Sequence, residues 1–163
     1  MDTSMIGRRT LFLGGGVVVA GAATTAVAGW DAILALLTEE TGARRMTPTR
    51  AHRAALAGAI VLVDIRRPDE WEASGSGEGA VRLDLRRPDF AERLAEIAGG
   101  TDRPVALICA RGVRSARTAN RLAETGFTDL IDVPEGMLGS AAGPGWIAAG
   151  LPLDRRPAGE EGR

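Results

Sequence analysis

Two short apolar runs, AIVLVDI (59–65) and PVALICA (104–110), most restrict what this chain can fold into. Each suits one strand, is rich in valine, isoleucine or leucine, and is apolar at successive positions. That pattern belongs to strands buried on both faces. AVRLDL (80–85) alternates like a further strand, and DLIDV (129–133) reads as the last. Helical signals fill the gaps. MTPTRAHRAALAG offers Thr47 as an N-cap, Pro48 at the first helical position and Gly58 as a stop. DFAERLAEIAGG places Phe90, Leu94 and Ile97 on one face and closes on glycine. SARTANRLAETG predicts a helix ending at Gly126. Strands alternating with helices predict an α/β domain with a parallel sheet covered on both sides. In such sheets ligands gather beyond the carboxyl ends of strands.

A chain of 163 residues, 45% hydrophobic and 25% charged, is enough for one domain with a core. Its net charge of −1 gives no general attraction to nucleic acid or anionic lipid. All 20 basic residues are arginine, which excludes a Schiff-base lysine. One cysteine, Cys109, and one histidine, His52, exclude an internal disulfide and a Cys/His zinc site. No metal site and no cofactor are expected.

Residues 1–28 read as an address rather than as fold. Arg8-Arg9 precede an uncharged stretch, and Ala26-Val27-Ala28 offers a small-x-small cleavage site. The paired arginines followed by Thr10, Leu11 and Phe12 resemble a twin-arginine export signal. An uncleaved anchor is the alternative, because the stretch is near the ~20 residues that span a bilayer. Both place the remaining chain in the periplasm or otherwise outside the cytoplasm, with membrane contact only if the segment is retained. Removing it leaves 18 basic and 20 acidic side chains. Residues 29–45 read as a linker or short helix, 46–154 as the domain and 155–163 as a disordered tail.

The chemistry concentrates in ICARGVRSARTAN (108–120). A strand ends at Cys109, a loop runs through Ala110, Arg111, Gly112, Val113 and Arg114, and a helix begins near Ser115. Loop amides and the unpaired N–H groups of a helix start can converge on one anion. A free thiol, with pKa about 8.5, is only a few per cent ionised at pH 7. A helix terminus can supply up to ~2 kcal/mol toward the anion in a partly buried geometry, and guanidinium groups nearby add to it. Cys109 is thus a candidate nucleophile that needs no histidine base. The alternative is a small buried core residue.

CARGVRSARTANRL resembles the active-site loop and following helix of the rhodanese, or thiosulfate sulfurtransferase, family. VLVDIRRPDEW is similar to that family's earlier D-x-R-x-x-x-E-aromatic stretch, through Asp64, Arg66, Glu70 and Trp71. GFTDLIDVPEGMLG and WIAAGLPL are similar to its closing segment. The resemblance implies a five-stranded parallel sheet with helices on both faces. It implies ping-pong chemistry in which Cys109 takes the outer sulfur of a small anionic donor such as thiosulfate, then passes it to cyanide, a thiol or a protein. Amides from Ala110 to Ser115 would cradle the anion, Arg111 and Arg114 would neutralise the donor, and Asp64 and Arg66 would brace the loop. A sulfur-carrier or binding module for an extracytoplasmic partner is the competing reading.

Departures from the family pattern are local. GSGEGA (75–80) lacks the family's usual histidine, and GSAAGPGW (139–146) is longer than the usual link, suggesting a lid, a partner surface or a flexible insertion. Related phosphatases carry arginine at +6 from the cysteine, where this chain has Ser115. DIRRPD (64–69) recurs as DLRRPD (84–89), the second copy reading as a simple strand-exit turn. His52, Glu39-Glu40 and Glu160-Glu161 read as solvated surface, and Trp71 and Trp146 as packing near the crevice rim.

Overall fold

The computed structural model describes residue 29 and residues 32–157. The expected export signal, and 158–163 with the Glu160-Glu161 pair, lie outside the described residues. Among those described, no helix is long and apolar enough to cross a membrane.

The chain builds β1 (Arg44–Arg45), α1 (Pro48–Leu56), β2 (Val61–Asp64), α2 (Pro68–Ser74), β3 (Ser76–Gly77) and β4 (Ala80–Arg82). It continues with α3 (Phe90–Ala98), β5 (Val105–Ile108), α4 (Val113–Glu124), β6 (Leu130–Val133) and β7 (Leu153–Asp154). A helical stretch at 32–37 precedes β1. Five strands form one parallel sheet in the order β1-β6-β5-β2-β4. β3 and β7 pair antiparallel beside it. The α/β reading with five parallel strands therefore holds.

Local signals formed the expected elements. Thr47 caps α1, its side chain accepting from the Arg50 N–H at 3.5 Å, with Pro48 next. α3 buries Phe90 and Leu94, with Ile97 packed partly against the same core. Alternation along the strands divides the core in two. Val63, Val105, Leu107 and Leu130 meet α3 and α4 on one face. Leu62, Ala106, Ile108, Ile131 and Val133 meet Ala51 of α1, Met137 and Trp146 on the other.

Several expectations need correction. The fifth strand, Arg44–Arg45, falls in the segment read as a linker or short helix; it pairs with Ile131 and Asp132. α2 adds a seven-residue helix between β2 and β3, in a stretch where the sequence reading above placed no helix. α4 starts at Val113, two residues before Ser115. Residues 155–157 are held rather than loose: Arg82 donates to the carbonyls of Asp154 at 2.8 Å and Arg156 at 2.6 Å. His52 is covered, its side chain only 12% exposed, pairing with Glu78 at 2.9 Å and meeting the Trp146 ring edge-on. Trp71 and Trp146 are fully buried rather than at a rim.

Candidate active site

Cys109 follows the last residue of β5 and points to the face shared by Leu107 and α4. It is free and 1% exposed, a floor beneath the loop rather than a surface thiol. The loop above it is short because Gly112, at φ +83°, turns directly into α4 as its N-cap. A Cβ at Gly112 would collide with the Pro134 carbonyl oxygen, so no other residue fits this turn. Gly112 contributes no capping side chain. The first-turn amides of α4 are then left for an anion lying over the cysteine.

The outer side of the loop is tied down. The Met137 N–H donates to the Cys109 carbonyl and the Leu138 N–H to that of Ala110, each at 2.9 Å. Gly136, at φ +64°, allows this approach; a Cβ there would sit 2.5 Å from the Ala110 oxygen. With carbonyls engaged outward, the loop keeps a fixed shape. Inside it, the thiol lies 3.6 Å from the Ser115 hydroxyl, which donates to the Gly112 carbonyl at 3.0 Å.

Both loop arginines have partners within the protein. Arg114 makes a two-pronged pair with Glu70 of α2, at 2.7 and 2.6 Å. Glu70 keeps its carboxyl below the ordinary value although burial opposes ionisation, because Arg114 and the Arg67 N–H bind the charged form. Arg114 is in turn held above its ordinary value, chiefly by Glu70 and then by its proximity to Cys109. Arg111 donates to the Gly139 carbonyl at 3.0 Å, beside the 139–146 turn.

Asp64 and Arg66 form a buried fork. The guanidinium reaches the carboxylate at 2.9 and 2.7 Å, and its other donors reach Ser74 and the Gly75 carbonyl. Ser76 completes Asp64 at 2.7 Å. These residues fix α2 and β3 to the end of β2. Their support reaches the cysteine loop only indirectly, through Glu70 and Arg114.

Two acids emerge that sequence reading passed over as functional residues. Asp132 of β6 and Glu135 are buried, and Asp132 Oδ1 and Glu135 Oε2 find no hydrogen-bond partner. Burial raises the Asp132 carboxyl to about 6, opposed by the Ser115 hydroxyl and the Arg45 charge and assisted by Glu135. Asp132 also lines a cleft of about 580 Å³ with Arg45, Arg111, Glu39 and Ser140. The 139–146 turn forms one wall and is not loose: Ser140 and Gly143 exchange backbone bonds at 3.1 and 3.0 Å.

A family model for the rhodanese-like domain matches residues 47–141, more than half of the chain. The chain belongs to the rhodanese-like domain family. The tRNA uridine(34) hydroxylase of Chlamydia abortus is 29% identical over 108 residues, covering 63% of this chain and 33% of its own length. The chain thus spans about a third of that relative. Two solved structures share the fold. The polysulfide-sulfur transferase homodimer of Wolinella succinogenes has a TM-score of 0.57 at 22% identity, over 86% of this chain and 98% of its own. The thiosulfate sulfurtransferase of Pseudomonas aeruginosa has 0.53 at 22%, over 74% of this chain and 21% of its own.

Proposed function

We propose that this rhodanese-like domain is a sulfurtransferase that carries sulfur as a persulfide on Cys109. One observation carries the reading: the only cysteine lies under a clamped loop that leads directly into an uncapped helix start. In the forward step the Cys109 thiolate attacks the terminal sulfur of thiosulfate or a related donor. The donor's S–S bond breaks and sulfite leaves with the electron pair. The remaining Cys109 persulfide is anionic, a charge that amides of the loop and of the α4 start would stabilise. Cyanide or a thiolate then takes the terminal sulfur and regenerates the Cys109 thiolate. Burial of Cys109 favours donors that present one sulfur atom at the end of a small group. Residues 1–28 belong to the same proposal as an export signal that places this chemistry outside the cytoplasm.

The tRNA substrate in the relative's name is not carried over, since the match covers only 33% of that protein at 29% identity and this chain's net charge of −1 gives no general attraction to nucleic acid. Intact-mass measurement after incubation with thiosulfate tests the proposal. A gain of one sulfur, discharged by cyanide and absent in Cys109→Ser, is expected. No gain from thiosulfate or polysulfide would overturn it. Loading without catalytic turnover would instead identify a sulfur carrier.

A further inference from the structure

The helical stretch at 32–37 carries apolar side chains on two sides, and the protein covers one of them. Leu34, Ala35 and Thr38 line the cleft beside Arg111. Ile33, Leu36 and Leu37 are 48%, 87% and 53% exposed. Their spacing of three and four puts them together on one face. No other run of the described residues exposes three large apolar side chains within five positions. A helix on a water-facing surface normally turns polar residues outward. This one is nevertheless fixed in place at its end. Arg117 of α4 donates to the Glu39 carboxylate at 2.9 Å, and Asn120 donates to the Glu40 carbonyl at 3.0 Å.

The chain ahead of the helix indicates what covers the open face. Between Arg9 and Glu39 the only charged residue is Asp31. The uncharged stretch Thr10–Trp30 already matches the ~20 residues that cross a bilayer. Trp30 closes it, and tryptophan is enriched where hydrocarbon meets water. The open face begins three residues later. Arg8-Arg9 stand at the other end, where basic residues keep to the cytoplasmic side. The charges next to the face in the chain, Asp31, Glu39 and Glu40, are acidic, so an uncharged bilayer suits it better than an anionic one.

We infer that residues 10–30 stay attached as a membrane anchor and that Ile33, Leu36 and Leu37 rest in the outer interface of the same bilayer. An apolar helix face lying in the interfacial layer buries its side chains without crossing the membrane. The inner side of this helix is a cleft wall, so the cleft that Arg111 shares with the cysteine loop is held next to the lipid. The inference is independent of the sulfur chemistry and takes the export reading in its retained form.

The test uses the full chain in vesicles of uncharged phosphatidylcholine. Cys109→Ser removes the native thiol, and Leu36→Cys or Arg103→Cys carries one fluorophore. Arg103 is exposed and precedes β5, at the opposite end of that strand from the cysteine. Quenching by aqueous iodide should be about fivefold or more weaker at position 36 than at 103, and a nitroxide on the lipid should quench only position 36. Unlabelled protein gives a second measure. Amides of 33–37 should exchange hydrogen more slowly in the vesicle-bound native chain than in the Ile33→Glu, Leu36→Glu double variant. Equal iodide quenching at the two positions, equal exchange in the two proteins, or a chain that stays out of the vesicles overturns the inference. Loss of persulfide formation with this shielding intact would remove the sulfur proposal and leave the membrane seat standing.

Discussion

Residues 64–69 and 84–89 carry the same pattern, D-x-R-R-P-D, and fold it alike. In each, the first aspartate accepts the backbone N–H and guanidinium of the arginine two residues on. In each, the next arginine pairs with the final aspartate at 2.9 and 2.8 Å in the first copy, 3.0 and 2.8 Å in the second. Their surroundings divide them. The Arg66 side chain is 2% exposed and ties three segments together, whereas that of Arg86 is 63% exposed and ends in solvent. The first copy is followed by Glu70, which reaches Arg114 at the cysteine loop; the second is followed by Phe90, which enters the core. Short-range chemistry makes the turn, and burial decides whether the turn serves the site.

The largest expected contrast is in stability. Asp64→Ala strands a buried guanidinium and should cost about 3–5 kcal/mol in urea unfolding. Asp84→Ala should cost about 1 kcal/mol or less, since its partner is in water. Equal costs would dissolve the distinction. Asp132 sharpens it as a carboxyl with no arginine fork. Its folded value of about 6 lies above the ordinary 3.8, so the folded state binds more protons between those limits. Stability should therefore fall as pH rises through that window. Asp132→Asn removes the slope and should be more stable than the native protein at pH 8, by about 1–3 kcal/mol. The advantage should vanish below pH 4, a trend that unfolding curves across pH will show or refute.

Glu70→Gln isolates what only the first copy does. It should cost about 0.5–1 kcal/mol, because the Arg114 pair is partly exposed to solvent. The lowered carboxyl puts this contribution above about pH 4.5, and it is lost as pH falls through the folded value. Freed of Glu70, Arg114 should favour anions at the loop. Iodoacetate should gain a few-fold on neutral iodoacetamide in reaction with Cys109. The smallest effect should come from Arg86→Ala, which should leave that reagent ratio and the persulfide yield unchanged.

The α/β alternation was legible because apolar runs and caps are local signals. Thr47 with Pro48, the Phe90–Leu94 face, and the strand before Cys109 all announce themselves within a few residues. β1 was not legible, since two exposed arginines have no apolar pattern and become a strand only beside β6. The position of Cys109 was readable and its burial was one of two readings left open, but the engagement of Arg114 was not legible. Glu70 and Arg114 lie 44 residues apart, so packing alone joins them. A carboxylate inside the apolar run DLIDV was the available sign of Asp132. Reading that run for its strand character alone hid the acid.

The close approach of Gly136 to the Ala110 carbonyl carries a consequence for how selectivity is inherited. The ring over the sulfur is sized by main chain locked to main chain, with glycine at both points of closest contact. Side-chain replacements around its mouth can retune charge without enlarging the aperture. Widening it to admit a bulkier oxyanion would require an added residue between Cys109 and Gly112, together with a shifted 134–138 segment. Insertions, rather than single substitutions, are the route by which a descendant of this chain could change the size of group it accepts.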